Sequence, residues 1–218
     1  WPITQQQKNT LVAMRSHLLT HTKIAGVSLA SSVPLDNNGL IDFLSREPDY
    51  KNLEQNLSTF IDQDYLTLFG FEFIAGHNFT ADDFRQGTHT IIINETLARK
   101  LQPDGKVLNH RFYWRNGGTD GELNEVVGIV RDLSLPGAPE QSRMFMPFIA
   151  PFNETELIVK LKPQQTMTKQ EMNELLGQVD PRFKVAAMHS MPELHNELIA
   201  QAILTASLTA ALTLLALS

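Results

Sequence analysis

Apolar and polar positions in the first third of the chain predict one helix and two strands. Over residues 10–19 the apolar side chains recur at helical spacing. Ile24–Ala30 is a short apolar run that predicts a strand, and a turn-rich stretch follows at 34–39. Residues 57–62 alternate between apolar and polar, which is typical of a half-buried strand. This part of the chain therefore predicts the order helix–strand–strand.

The C-terminal part predicts the order strand–helix–strand. Residues 156–162 read as a strand. Thr168 and Glu171 have the spacing of a capping box, so we expect a helix to begin there with apolar residues along one face. Asp180, followed by proline, ends that helix, and residues 183–188 form the returning strand. The two chain ends together predict a single ferredoxin-like α/β layer.

The middle of the chain predicts an inserted unit of mixed α and β structure. Residues 89–94 are expected to form a strand that leads into a helix at Glu95–Leu101, with Asn94 as its N-cap. Two further strands, 111–114 and 125–130, flank a loop rich in Asn, Gly and Asp that predicts a hairpin. The predicted fold class is therefore α+β.

The last 21 residues, 198–218, are expected to begin a transmembrane helix. They carry no charge and include seven Leu and two Ile. A helix of this length rises about 30 Å, close to the thickness of the hydrocarbon core. Ser190 and Glu193 predict a capping box at its start, and the acidic flank favours the outer side of the membrane. A soluble amphipathic helix is the alternative, although its uncharged polar stripe is a poor solvent face.

Charge and composition exclude several functions. The net charge is −6 and the basic residues are scattered, which argues against a nucleic-acid partner. The chain has no cysteine, so it has no disulfide framework, no thiolate nucleophile and no Cys-ligated metal. It also lacks a Gly-x-Ser-x-Gly elbow, a phosphate-binding Walker loop and a dinucleotide fingerprint.

Two residue pairs are candidates for chemistry, and the simpler interpretation is preferred for both. His17 and His21 stand four apart on a predicted helix, a spacing that suits Zn²⁺, but no third ligand is indicated and exposed histidines are expected. Asp82 and Asp83 could serve acid–base catalysis, but they are expected to be first-turn acids of a helix capped by Thr80. We therefore expect no catalytic, metal-binding or cofactor-binding residue.

Four blocks in order give the chain its resemblance to a known family. They are Asp-Tyr-Leu-Thr-Leu-Phe-Gly at 64–70 with Ala-Gly-His-Asn-Phe at 75–79, Ile-Ile-Ile-Asn-Glu-Thr-Leu-Ala-Arg-Lys-Leu at 91–101, Val-Val-Gly-Ile-Val-Arg-Asp at 126–132, and Arg-Met-Phe-Met-Pro at 143–147. Over about residues 24–150 this pattern resembles the MacB-like periplasmic core domain of MacB/FtsX-type ABC transporter permeases. His77 replaces the usual Arg, and Asn109 stands where Gly is common.

The glycines within these blocks are expected to have structural roles. Gly70 and Gly76 predict turns that need glycine's conformational freedom. Gly128, inside a strand, predicts a close backbone approach or a bulge.

The resemblance implies a fold of two lobes above a membrane. A porter-like subdomain would be built from residues 1–68 and 153–197, and a sabre-like subdomain would be inserted at 69–152. Residues 198–218 would be the start of the second transmembrane helix. The domain would face the periplasm or the extracellular side of the bacterial inner membrane.

The resemblance also implies a function without catalysis. ATP hydrolysis by a cytoplasmic ABC ATPase, on a separate subunit or domain, would drive export or extraction of a substrate by mechanotransmission through this domain. Its implied partners are that ATPase, a possible periplasmic adaptor and outer-membrane channel, and a second permease copy in a homodimer. A membrane-tethered binding or sensory domain with no transport role is the alternative, and a hydrolase with an unrecognised site is a third.

Overall fold

The computed structural model describes residues 4–34, 40–48, 52–85, 88–115, 121–133, 140–148 and 155–196. The helices are α1 Gln5–Leu19, α2 Tyr65–Phe69, α3 Glu95–Leu101 and α4 Lys169–Val179, and residues 191–196 at the end of the described chain are also helical. The strands are β1 Ile24–Ala30, β2 Leu40–Ser45, β3 Glu54–Ile61, β4 Phe73–Gly76, β5 Thr90–Asn94, β6 Arg111–Arg115, β7 Glu122–Val130, β8 Arg143–Pro147 and β9 Glu156–Leu161. The fold is mixed α and β, as predicted.

Six of the strands close into a barrel. The hydrogen-bonded path runs β2-β6-β7-β5-β8-β3, and β3 also pairs with β2, which closes the ring. Most pairs are antiparallel, but β5 with β7 and β3 with β8 are parallel. Closure removes the free edges of these six strands, because each has a neighbour on both sides.

The barrel interior is filled by apolar side chains that alternate along the strands. Leu44 of β2 faces Trp114 of β6, and Ile93 of β5 faces Met144 of β8. Ile91, Ile93, Phe112, Val126 and Met144 are all almost fully buried in this cluster. α3 covers one side of it with Leu97, Ala98 and Leu101. The core is thus a packed barrel closed by a short amphipathic helix.

The two chain ends form a second unit outside the barrel. β1 and β9 pair antiparallel from Ile24↔Leu161 to Ala30↔Glu156, and α1 and α4 pack against them. Thr4 and Thr168 cap the two helices through capping boxes, the second of which the sequence predicted. We refer to α1, β1, β9 and α4 as the terminal unit.

A third apolar cluster joins the barrel to the terminal unit. It includes Tyr65 and Leu66 of α2, Phe145 of β8 and Ile158 of β9. The Tyr65 ring packs 4.8 Å from Phe69 and 6.1 Å from Phe145, measured between ring centroids. We call this cluster the junction core.

The predicted returning strand at 183–188 is wrong, because these residues form no strand in the structure. Their backbone groups bond to side chains of α4 instead: the Val185 N–H donates to Asn173 Oδ1 at 2.8 Å, and the Ala186 carbonyl accepts from Lys169 Nζ at 2.7 Å. Phe183 and Val185 pack into the terminal unit. In the described part of the chain, β9 is therefore an edge strand, and the ferredoxin-like layer lacks this member.

The two predicted subdomains share one sheet. β6 and β8, from the range 69–152, pair with β2 and β3, from the range 1–68. The terminal-unit cluster, in contrast, draws only on residues from the two chain ends. The boundaries 1–68, 69–152 and 153–197 stay a prediction.

The expected membrane helix at 198–218 lies outside the described residues. The capping box before it is present, since Ser190 N donates to Glu193 Oε2 at 2.7 Å and Glu193 N donates to Ser190 Oγ at 3.3 Å. Across the described ranges, none of the helices has the length and apolar character needed to cross a bilayer.

Candidate functional site

Asn94 is the centre of a joint between β5, α3 and β8. It ends β5 and caps α3 as predicted, with its Oδ1 accepting from Leu97 N at 3.1 Å. The same oxygen accepts from Arg143 N at 2.8 Å, and Asn94 Nδ2 donates to the Gln141 carbonyl at 2.7 Å. One buried amide thus holds three segments in register.

Asp132 completes this joint from the end of β7. Its Oδ1 accepts from Asn94 Nδ2 at 2.5 Å and from Thr96 N at 3.1 Å. Its Oδ2 accepts from Thr96 Oγ1 at 2.7 Å and pairs with Arg99 at 3.3 Å. A carboxylate at the start of a helix is favoured by the helix dipole as well as by these bonds. Three of the family-like blocks, 91–101, 126–132 and 143–147, therefore meet in one hydrogen-bond network.

Two glycines allow β4 to approach β7 closely, as the sequence predicted for Gly128. A Cβ on Gly76, whose φ is +72°, would lie 2.1 Å from the Val127 carbonyl oxygen. A Cβ on Gly128 would lie 2.6 Å from the His77 carbonyl oxygen. The ladder between β5 and β7 also shifts register beside Gly128. Glycine is required at both positions by backbone contact.

The backbone conformation at Asn109 explains why asparagine can stand where the family commonly has glycine. Its φ is +62°, a left-handed conformation that glycine adopts freely and that asparagine tolerates better than most residues. The backbone shape expected for glycine is therefore kept. Gly70, with a φ of +75°, ends α2 in the same conformation, as predicted.

Asp62 organises the turn between β3 and α2. Its Oδ1 accepts from Ser28 Oγ at 2.7 Å and from the backbone N–H groups of Asp64 and Tyr65, both at 3.1 Å. Its Oδ2 accepts from Leu29 N at 2.9 Å. One carboxylate therefore starts α2 and ties it to β1.

A buried carboxyl group lies inside the barrel. Asp42 of β2 is 3% exposed and faces Asn56 of β3, with Ser58 two residues farther along the same face. Burial raises the pKa of the Asp42 carboxyl, and the nearby Ser58 hydroxyl and Trp114 indole oppose that rise. Neither Asp42 Oδ2 nor Trp114 Nε1 makes a hydrogen bond of good geometry. The neutral acid is therefore the form that this interior favours.

We expect Asp42→Asn to raise the unfolding temperature at pH 7. The folded-state pKa of Asp42 lies above its ordinary value of 3.8, so its contribution to stability is complete below that pH and is lost as the pH rises through the folded pKa. The amide carries no charge and avoids this loss. Thermal unfolding of both proteins between pH 3.5 and pH 7 should show a gap that opens with rising pH. An equal gap at every pH would contradict the assignment.

An open groove lies between α3, β4 and the loop 103–108. Its volume is about 420 Å³, and its walls combine Ile74, Leu108 and Ile129 with the charged side chains Arg99 and Lys106. Glu95 and Asp104 add two acidic groups. The groove is mixed in character, and Arg99 is already committed to Glu95 and Asp132.

The residues considered for chemistry do not form a reactive group. His17 and His21 are half-buried rather than exposed, which corrects the expectation for both. Within the described ranges, no three His, Asp or Glu side chains converge as metal ligands. His89 lies 3.5 Å from Glu122, an exposed pair without a third partner among the described contacts.

The interpretation of Asp82 and Asp83 as first-turn helix acids is wrong. Residues 81–84 form a turn, and the capping is reversed, because Thr80 N and Thr80 Oγ1 donate to Asp83 Oδ2 at 2.7 and 2.6 Å. Burial opposes ionisation of Asp83, but the bonds from Thr80 and Thr90 prevail and lower its pKa. Asp82 pairs with Arg85 at 2.9 Å. Both carboxylates are structural.

Sequence reasoning missed Asp42 and Asp62. Asp42 sits in a strand that was not predicted, so the sequence held no signal for its burial. Asp62 was counted as the polar end of a strand, although an Asp two or three residues before a helix start is a common backbone acceptor. Asn94 and Gly128 were the residues whose roles the local pattern did reveal.

Comparison with models of known protein families identifies one family. The model of the MacB-like periplasmic core domain matches residues 13–175. No curated protein matches the chain.

Three solved structures share the fold. The periplasmic region of MacB from Actinobacillus actinomycetemcomitans is 15% identical with a TM-score of 0.53, over 77% of this chain and 73% of that one. A domain of a putative permease protein from Porphyromonas gingivalis is 21% identical with a TM-score of 0.54, over 77% and 68%. The extracellular domain of the noncanonic ABC-type transporter YknZ from Gram-positive bacteria is 16% identical with a TM-score of 0.53, over 81% and 83%.

The family match covers most of the chain, and it includes all four blocks on which the resemblance rested. The Asn94–Asp132 joint and the Gly76–Gly128 contact both lie inside it. This protein belongs to the family of MacB-like periplasmic core domains.

Proposed function

We propose that this chain is the extracytoplasmic domain of an ABC transporter permease in a bacterial inner membrane. In this account it carries movement, driven by ATP hydrolysis in the cytoplasm, to a substrate in the cell envelope. Family membership supports the proposal, as do the neighbours described as a periplasmic region of MacB and an extracellular domain of an ABC-type transporter.

The observation that carries the proposal is that the residues of the family-like blocks have structural roles. Contacts between backbone segments depend on four of them: Asn94, Asp132, Gly76 and Gly128. An enzyme needs convergent titratable groups around a reacting atom. A mechanical element needs parts that keep their relative geometry under load, and joints of this kind are what such an element would use.

The position of the chain ends is also consistent with a domain held between two membrane spans. α1 begins at residue 5 and α4 ends at residue 179, and both belong to the terminal unit. We propose that residues 198–218 start a membrane helix, so that both connections leave from the terminal unit. The barrel would then be the part carried by it.

The proposed partners follow from this placement. They are a cytoplasmic ABC ATPase on a separate subunit or domain, a second permease copy, and possible adaptor and outer-membrane channel proteins. The porter-like and sabre-like division at 69–152 is part of the same proposal. The net charge of −6 disfavours a nucleic-acid partner.

A membrane-tethered binding domain with no transport role is the second candidate. The groove between α3 and β4 favours it, because it is a concave site lined by both apolar and charged side chains. Such a domain would bind its ligand through this groove and would not respond to ATP.

Movement of the domain in response to ATP separates the two candidates. The substitution Ile41→Cys introduces one thiol at a barrel position that is 59% exposed. Because the chain has no cysteine of its own, a thiol-reactive dye labels this chain at that position alone. We would place the full-length permease and its ATPase in nanodiscs with acceptor dyes on the lipid headgroups. Energy transfer from residue 41 is expected to change when ATP and vanadate are added. An unchanged signal, with ATPase activity intact, would contradict the proposal.

A further inference from the structure

Arg15 connects α1 to the turn that begins α2. Its Nε lies 3.6 Å from Asp62 Oδ2, and its Nη2 pairs with Asp64 Oδ2. The Arg15 side chain is 31% exposed and that of Asp62 is 19% exposed, so the contact is partly shielded from solvent. Ion pairs of this kind are worth more than fully exposed ones, because solvent screens them less.

The backbone link between the terminal unit and the barrel is narrow at this point. In the described part of the chain, β1 and β3 share the single ladder pair Ala30↔Ile61. Two flanking bonds, Ser31 N to Phe60 O at 2.9 Å and Asp62 N to Leu29 O at 3.1 Å, extend it. We call the place where β1 and β3 diverge from this pair the fork. Side chains must therefore supply much of the connection between the two units at the fork.

Asp62 and α2 continue the connection from Arg15 into the barrel. Asp62 follows the last residue of β3 and holds the first N–H of α2. Tyr65 and Leu66 of α2 are fully buried in the junction core, where Tyr65 contacts Phe145 of β8. Tyr65 Oη also donates to the Ser32 carbonyl at 3.1 Å. Contacts thus run without a break from Arg15 through Asp62 and α2 to groups packed on barrel strands.

We propose that Arg15 is a positioning residue that makes the barrel follow α1, through Asp62, Asp64 and α2. This inference rests on the proposed function, since it supposes that ATP moves α1. It gives one side chain, at the point where β1 and β3 meet, a coupling role beside the packing of the junction core. Spatial continuity alone does not establish coupling, so the test must measure movement on both sides of Arg15.

The experiment compares two dye positions in the full-length permease in nanodiscs. One dye is attached at Val12, 61% exposed on α1, and the other at Ile41 on the barrel, each in a separate protein. Energy transfer to headgroup acceptors is measured with and without ATP and vanadate. In Arg15→Ala we expect the change at residue 12 to persist and the change at residue 41 to fall by at least half.

Two further variants control for indirect effects. Asp64→Asn removes the exposed partner but leaves the Asp62 bonds, and it should reduce the change at residue 41 in the same direction. Arg111→Ala breaks a 2.9 Å ion pair with Glu125 within the barrel and should leave both changes as in the original protein. Thermal unfolding of each purified variant shows whether the domain is still folded.

The outcomes separate this inference from the proposed function. If neither position responds to ATP in the original protein, the proposed function fails. If both respond there, and the change at residue 41 keeps its full size in folded Arg15→Ala and Asp64→Asn, the assignment of Arg15 is overturned.

Discussion

Replacement of Gly76 with alanine should lower the free energy of unfolding by about 3 kcal/mol, near the upper end for single substitutions. The added Cβ would lie 2.1 Å from the Val127 carbonyl oxygen and 2.9 Å from the Gly128 Cα, both backbone atoms that cannot move aside locally. The left-handed φ of +72° adds strain of about 1 kcal/mol for any residue with a Cβ. Urea unfolding of the folded domain would measure the loss.

Two glycines provide matched controls for this prediction. Gly70 also has a positive φ, but a Cβ there meets no atom within 4 Å, so alanine should cost about 1 kcal/mol. Gly177 lies within α4 in open space, and alanine should stabilise the protein by about 0.5–1 kcal/mol. Similar losses at Gly76 and Gly70 would show that the close approach of β4 to β7 is not what requires glycine.

Asn94→Ala should lower the free energy of unfolding by about 2–4 kcal/mol. Loss of an ordinary N-cap costs about 1 kcal/mol. Here the Arg143 N–H also loses its acceptor in a partly buried position, which costs about 1–3 kcal/mol more. Chemical denaturation would give the value, and amide exchange of α3 and β8 should quicken together.

Thr168→Ala is the control for the Asn94 prediction. Thr168 caps α4 through Glu171 N at 3.2 Å in an exposed position, so its loss should cost about 1 kcal/mol. Asn94→Asp keeps the acceptor oxygens but sets a second carboxylate against Asp132, so its destabilisation should shrink as the pH falls. An Asn94→Ala cost equal to that of Thr168→Ala would mean that Asn94 acts only as a helix cap.

Local signals in the sequence were sufficient to predict the bounds of several helices and strands. The strand at Ile24–Ala30 and the helix at Glu95–Leu101 have the predicted bounds. Both are marked by neighbouring residues: a turn-rich stretch follows the strand, and Asn94 precedes the helix. α1 begins at Gln5, before the predicted residue 10, because Thr4 caps a polar first turn that no apolar pattern reveals.

Barrel closure could not be predicted from such local signals. It depends on β2 pairing with both β3 and β6, and β2 lies some 70 residues from β6 along the chain. The prediction of a strand at 183–188 was wrong for a related reason. Backbone groups of this segment form hydrogen bonds with side chains of α4 and not with a neighbouring strand. Periodicity reports which face of a segment is apolar, but not which partner its backbone finds.

The same limit applies to the coupling residues. Arg15 and Asp62 are 47 positions apart, and their pairing follows from how α1 lies beside the fork between β1 and β3. The glycine pair at 76 and 128 was within reach of sequence reasoning, because glycine inside a strand already indicates a close contact. Only the structure shows which backbone atoms the two glycines approach.

The topology of the full-length protein tests the central claim most directly. Alkaline phosphatase, active only outside the cytoplasm, and green fluorescent protein, fluorescent inside it, would be fused before Trp1, within residues 116–120, and after Ser218. We predict an outside signal at 116–120 and a cytoplasmic signal at both flanking positions. A cytoplasmic signal at 116–120, or an outside signal after Ser218, would contradict a domain held between two membrane spans.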